Sequence, residues 1–380
     1  GYAEPEVPLR LTLRPQAAQT NGYADIAPNS PNTAPIFPNT QFFALNAAEG
    51  PGSEKNFSFS TEALFGVIYG QGQEIVYNAD AVTYLSELLW DIKPLFYAGA
   101  ALFFSLEPPS WPVGLYTNLL IKTGFSGRSG DMEDRDWIST HLVDPNGDYF
   151  LTHYSKHDNY IRGGTWFFDG DLGISFPLKP GNTFDPELSV FCRVSYMDLR
   201  WTSENGYLQY GSKDEYGKII RNGADPKYPY TQKGDPNEEW KDTFAKEYLD
   251  GPAIQYSQRW FLFSPGIAID LAVARFLSLG ASFTITPLLR ADAEDIHFKM
   301  GTQYNDYPQG GLALEPQVRV VLFPASPFSV TLNASYRSIS GAKGETWQRN
   351  YNTQSTPILV GAGGAGYHAL DAGISLKINF

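Results

Sequence analysis

Cysteine is nearly missing. Cys192 stands alone, which excludes a disulfide framework and a cysteine-rich metal site. No uncharged apolar run is long enough for a membrane helix. No N-terminal stretch has the basic-then-apolar pattern of a secretion signal, so an exported form would already have lost it. Positive charge is also short. Lysine and arginine number 28 against 41 acids, a net charge of −13, and that argues against a nucleic-acid partner, which needs a basic field. A chain with these absences that crosses a membrane has to do so as a closed barrel.

What is present favours strands. The 380 residues suit two soluble domains or one large all-β unit; 15% are aromatic, and 36 glycines and 27 prolines punctuate the chain. Residues 1–55 are rich in Pro, Asn and Ala and read as an extended N-terminal segment of unknown role. From Phe57 onward the dominant signal is period-two alternation. Leu370, Ala372, Ile374, Leu376, Ile378 and Phe380 share one face, opposite Asp371, Gly373, Ser375, Lys377 and Asn379. Val113, Leu115, Leu119 and Ile121 likewise alternate with Tyr116, Asn118 and Lys122.

A half-solvated soluble sheet alternates in the same way. Three features select the membrane alternative. The runs exceed an ordinary strand in length. Short turns (323–327, 179–182) alternate with long polar segments (203–250, 343–361), as periplasmic turns alternate with outer loops. The alternating final run closes on Phe380, a terminal aromatic shared by many outer-membrane barrels. The expected fold is an all-β, transmembrane, antiparallel β-barrel of ten strands. These lie near 57–78, 82–106, 112–137, 158–177, 187–212, 252–271, 275–299, 311–323, 328–342 and 364–380. Tyr116, Asn118, Lys122 and Arg193 are expected to fill the lumen, which speaks against an open channel.

Two polar pairs sit where strands run out into outer loops: Asp134 with Asp136, and Asp295 with His297. Residues at i and i+2 of a strand share a face, about 6.5–7 Å apart. The parity of the third strand turns Asp134 and Asp136 inward. Unbroken parity from Leu277, Leu279, Phe283 and Ile285 would turn Asp295 and His297 outward, so a bulge is expected between, with Pro287 its natural place. Brought to one cleft, the four groups would suit hydrolysis by activated water. Asp295 would orient His297 and raise its pKa, and His297 would act as general base on a water held against Asp134, beside Asp136. No metal is required. Singly, an Asp-x-Asp is usually a solvated turn or half of a calcium site, and an Asp-x-His a surface pair.

The stretches 130–137, 152–157, 196–200, 253–260, 295–297 and 363–380 resemble the omptin family of outer-membrane proteases, and the resemblance spans about 57–380. It implies a barrel extended above the outer leaflet with a cleft at its top, where Asp134 and Asp136 match one catalytic couple and Asp295 and His297 the other. Ser155 and His157 fall near that cleft. The implied activity is endopeptidase cleavage of peptides or proteins at the bacterial cell surface, near basic residues, with no cofactor but with lipopolysaccharide as activating lipid. Tyr196, Asp198, Arg200 and Arg259 match lipid A contacts; the first three continue a strand face that runs from Leu188 through Val194, from apolar to aromatic to charged. A further lysine of that lipid site has no match. Glu74 matches one acid of the pocket before the scissile bond, while its companion is replaced by Ala293, with Asp292 and Glu294 on the opposite face. His153 stands where an acid is expected on the other side of the bond. Residues 1–55 and the insertion 203–250 lie outside the resemblance. A catalytically silent adhesin is the competing reading, and a channel the weaker one.

Overall fold

A computed structural model describes residues 57–77, 83–108, 111–137, 150–178, 186–210 and 240–380. The N-terminal segment and the turn at 179–182 lie outside these residues. The strands are β1 (Phe57–Tyr77), β2 (Tyr84–Leu106), β3 (Gly114–Gly124), β4 (Gly127–Asp136), β5 (His153–Ile161), β6 (Trp166–Pro177), β7 (Pro186–Tyr210), β8 (Glu247–Tyr248), β9 (Pro252–Ala274), β10 (Leu277–Thr286), β11 (Leu288–His297), β12 (Thr302–Asp306), β13 (Leu312–Leu322), β14 (Phe328–Asn350) and β15 (Ile358–Asn379).

All pairings are antiparallel, and they close into two stacked rings. The lower ring runs β1, β2, β3, β6, β7, β9, β10, β13, β14, β15 and back to β1. The upper ring uses the same long strands but exchanges β3 and β6 for β4 and β5, and β10 and β13 for β11 and β12. Each tier is therefore a ten-stranded barrel without an edge, and every strand finds a partner on both sides. β7 has 25 residues. At about 3.3 Å per residue that is roughly 80 Å of strand, which even after a tilt of about 45° rises well beyond the roughly 30 Å bilayer core, so the upper tier stands clear of hydrocarbon.

Three of the expected strands (112–137, 158–177 and 275–299) prove to be two segments each, β12 lies outside every expected strand, and others reach further than the sequence suggests. β7 runs to Tyr210, as the expected strand at 187–212 implies, so the insertion at 203–250 begins as wall; β14 continues to Asn350 and β15 begins at Ile358, so most of the supposed loop at 343–361 is wall. Polar residues populate both faces in the upper tier, because neither face meets lipid, and the alternation that marks the lower strands fades there.

In the lower tier, Phe65, Phe96, Leu172, Val194, Phe263, Phe283, Leu332 and Ile374 are exposed on the outer wall. The lumen is polar and filled. Arg193, 2% exposed, donates from Nε to Asp171 at 2.8 Å and from Nη1 to Glu315 at 3.2 Å. Arg337 donates from Nη2 to Asp169 and to Glu315, each at 2.8 Å. Lys122 pairs with Asp371, which also accepts from the Tyr97 hydroxyl, and Arg319 pairs with Asp270. Such a network packs the lumen with mutually neutralised charge. Removing one cation leaves a carboxylate buried and unpaired, which costs about 3–5 kcal/mol. Arg193→Met should lower folding stability by about that amount in equilibrium denaturation from lipid or detergent; an unchanged midpoint would mean that the network does not carry load.

Candidate functional site

The cleft forms where four upper strands bring their inward rows together. On β4, Met132, Asp134 and Asp136 face inward opposite Trp90, Leu88 and Ser86 of β2. The chain reaches that row through the 125–126 break and an irregularity at 128–131. There Gly130 takes a φ of 70°, and a Cβ would lie 2.5 Å from Asp91 Oδ2. Asp91 Oδ2 accepts the Asp131 amide at 3.0 Å and holds the start of the row. The two phase changes cancel, so the parity of β3 carries through to Asp134 and Asp136 as the sequence implies.

On β11 the phase inverts once. Ser278, Thr284 and Thr286 are buried on β10, whereas Leu289, Ala291, Ala293 and Asp295 are buried on β11. Thr284 pairs with Gly266 and Leu288 with Phe263, so four steps on one strand oppose three on the other, with Pro287 inside the extra step. Proline has no N–H to lose from the ladder, which makes this the cheapest point for the bulge. The inversion turns Asp295 and His297 into the cleft.

Asp295 is 2% exposed, and its Oδ2 lies 2.5 Å from His297 Nε2. Burial pulls the imidazole pKa down, but Asp295, then Asp134 and Asp136, outweigh it, and the group ends above its ordinary 6.5. Asp134 and Asp136 are therefore close enough for His297 to feel both charges. Their own pKa values are raised, by burial first. Mutual repulsion adds to the rise at Asp134, and Asp136 sits at about 6. Ser86 Oγ donates to Asp134 Oδ1 at 3.3 Å and also bonds Asp136. Tyr304 of β12 packs edge-on to the imidazole at 5.6 Å. Beneath lies an aromatic floor of Trp90, Trp201 and Tyr256, with ring separations of 5.4–6.1 Å.

The remaining expected residues fall around this centre. Glu74 of β1 points inward and is 2% exposed; burial, then the charges of Asp295, Asp306 and Asp134, hold its pKa well above the carboxylate range. Ala293 is buried in the inward row, while Asp292 and Glu294 face away and engage Arg290 and Gln303. His153 lies opposite Asp136, buried beside Thr152, and burial lowers its pKa to about 3, leaving it neutral. His157 and Ser155 face inward and pair at 3.0 Å, with His157 Nδ1 against the Asn205 carbonyl at 2.5 Å.

Asp306 was not apparent from the sequence. It lies on β12, directly across from Ala293, is 2% exposed, and burial raises its pKa to about 7. Its strand is five residues long, Thr-Gln-Tyr-Asn-Asp, with no apolar alternation to mark it. Only the cross-strand register identifies it.

The expected lipid-contacting residues lie on the outer wall, on β7 and β9. Arg200 donates to Asp198 from Nε at 2.9 Å and from Nη2 at 2.6 Å. Arg259 is the cross-strand neighbour of Asp198, and Tyr196 packs on Phe261 at 4.9 Å.

The omptin family model matches residues 55–380. Among solved structures, the outer membrane protease OmpT from Escherichia coli aligns over 85% of this chain and 97% of its own, with a TM-score of 0.64 and 18% identity. The transport unit of the Escherichia coli autotransporter AIDA-I covers 87% of this chain and 93% of its own at a TM-score of 0.33 and 8% identity. The Pseudomonas putida toluene transporter TodX covers 86% and 90% at 0.32 and 9%. No curated protein sequence matches.

The raised carboxyl pKa values fix a sign for stability. Asp136 and Asp306 rise from 3.8 to about 6 and about 7. Between pH 4 and 7 the folded barrel holds protons that the unfolded chain has released, so these two groups make stability fall as pH rises through that window. Asp136→Asn and Asp306→Asn should each flatten the decline, read from denaturation midpoints at pH 4, 5.5 and 7. Parallel curves for wild type and both variants would contradict the assignment.

Proposed function

Because the chain belongs to the omptin family and is a bacterial outer-membrane barrel, we propose that it is an endopeptidase that hydrolyses peptide bonds at the cell surface. The observation that carries this reading is the inversion at Pro287, which turns Asp295 and His297 toward Asp134 and Asp136. Asp295 accepts the Nε2 proton of His297, leaving Nδ1 as the acceptor. A water between His297 and Asp134 gives its proton to the imidazole as its oxygen attacks the scissile carbonyl. The carbonyl oxygen gains the charge. Asp134 and Asp136 cannot both ionise cheaply in this burial, and the carboxyl that keeps a proton can donate a hydrogen bond to that developing charge. The imidazolium then protonates the leaving amine. Asp295 orients the ring throughout.

The outward face of Tyr196, Asp198, Arg200 and Arg259 supports a lipopolysaccharide contact. It stands just above the apolar wall, and a guanidinium pair suits phosphate bidentately. The cleft end then faces outward from the cell, because a phosphate-bearing outer leaflet meets the wall at this level. Glu74, buried within reach of Asp295 and Asp134, suits a basic residue near the cut.

The refolded protein with lipopolysaccharide should cleave peptides in the presence of EDTA. His297→Ala and Asp134→Ala should each lower kcat/KM by about 10²–10⁴-fold, the usual worth of a positioned acid–base group. The acid limb of the wild-type kcat/KM profile should lie above pH 6.5, since only neutral imidazole accepts the proton. Omitting lipopolysaccharide, or Arg200→Ala with Arg259→Ala, should lower activity. Cleavage that persists in both catalytic variants would rule the mechanism out, and no cleavage with lipid present would favour a silent, adhesive barrel.

A further inference from the structure

The two couples of the cleft sit at strand ends: β4 stops at Asp136 and β11 at His297. Strand ends fray unless something ties them, and here the ties come from outside the barrel. On β5, His153 and Ser155 face the cleft, so Tyr154 between them faces the outer wall. Trp240 packs on Tyr154 there, with ring centroids 5.1 Å apart. The Trp240 amide donates to the Leu151 carbonyl at 2.7 Å. The next residue, Thr152, donates from its amide and from its hydroxyl to the Asp136 carbonyl, at 2.8 and 3.0 Å. A short run of bonded groups thus leads from Trp240 to the backbone of the acid that ends β4.

From Trp240 the chain crosses the outside of β7. Gln209 lies opposite Tyr154 across the β5–β7 pair and so points outward, yet it is 2% exposed. Its Nε2 donates to the carbonyls of Asp242 and Phe244, at 3.0 and 2.7 Å, which seats the crossing segment on the wall. β8 then pairs with Tyr207 and Leu208, and Lys246 stands 3.9 Å over the Tyr207 ring. Asn205, at a φ of 56°, bonds Gly251 through both its amide and its side-chain oxygen, each at 2.9 Å. At the far end, Asp250 accepts Lys299 Nζ at 2.7 Å, and Lys299 lies two residues beyond His297. The stretch is therefore fastened on both sides of the centre, to the end of β4 and to the end of β11.

We propose that residues 240–250 form a strap that fixes the separation of the Asp134–Asp136 couple from the Asp295–His297 couple, with Trp240 as the positioning residue at its anchored end. This rests on the endopeptidase reading. A water can bridge His297 and Asp134 only if the two strand ends stay at one spacing, and a misplacement of about 1 Å can cost about 10²-fold in rate. The strap belongs to the long insertion, so a segment outside the family resemblance serves the cleft from the outer wall without entering it.

The test compares wild type, Trp240→Ala, Trp240→Phe and Gln209→Leu on one cleavable peptide with lipopolysaccharide, each variant first shown to be folded by its denaturation midpoint. Trp240→Ala and Gln209→Leu should lower kcat about 10- to 100-fold with KM unchanged. Trp240→Phe keeps a ring on Tyr154 and should recover most of the rate. Letting the couples drift apart also weakens the charge of Asp134 and Asp136 on His297, so the acid limb of the kcat/KM profile should move to lower pH in Trp240→Ala. A loss of folded protein alone would scale the rate and leave that limb in place. Folded Trp240→Ala with wild-type kcat overturns the proposal, and so does a fall in kcat with an unmoved acid limb. With His297→Ala inactive, either result removes the strap alone. If His297→Ala still cleaves, the endopeptidase reading fails and takes the strap's role with it.

Discussion

A strand carries its hydrogen-bonding groups to left and right, and in hydrocarbon nothing but another strand can meet them. Closure of the ladder is therefore the condition on which every other feature of this barrel depends. Once the ring is closed, each residue has one of two fates, lumen or wall, decided by parity alone. The lower tier follows from this directly: Phe263 and Ile374 on the wall, Arg193 and Asp171 within. The upper tier keeps the closure but is freed from lipid. Four of its ten strands are separate segments, and in that freedom the cleft is built.

Where the ladder stays regular, charge is balanced inside it. Arg193 and Arg337 knit three carboxylates into one network across four strands, and Lys122 and Arg319 each hold another. That pairing excludes a wide aqueous path and makes the lower barrel a rigid, filled plinth. Above the floor of Trp90, Trp201 and Tyr256 the balance changes. Asp134, Asp136 and Asp295 act on one imidazole, Glu74 and Asp306 lie within reach of Asp295, and burial raises the pKa of Asp134, Asp136, Glu74 and Asp306. Such a site holds protons near neutrality, which suits the proposed transfer of a proton onto a leaving amine.

Period-two alternation made the ten strands of the lower tier legible, because lipid on one side and packed polar groups on the other impose opposite chemistries on neighbouring residues. The same logic located the bulge at Pro287: the phase of Leu277–Ile285 conflicts with that of Asp295 and His297, and proline is where a ladder yields most easily. Legibility ended where lipid ended. The top of β14 reads as loop from 343 on, although Thr346, Trp347 and Gln348 pair with β12 on one side and β15 on the other. The paired shifts around Gly130 left no trace, since they cancel. β12 was hidden by its brevity, and with it Asp306, whose importance lies in a partner across the sheet and not in any neighbour along the chain.

That last case bears on how a site tolerates change. On a strand, the space in front of an inward residue is shared with its cross-strand partner, whose Cβ lies about 4.5–5.5 Å away. A carboxylate can leave one strand and reappear on the next while its oxygens stay in nearly the same volume, provided the surroundings make room. Here Ala293 carries only a methyl group opposite Asp306, and the missing Cβ of Gly363 gives the Asp306 carboxyl its place. Asp295 and His297 lack this latitude, because the dyad depends on an i, i+2 spacing along one strand and on the bulge that aims it. The dyad is thus tied to its strand by geometry, whereas a carboxyl held only by its burial and its cross-strand neighbour is tied to a position in space.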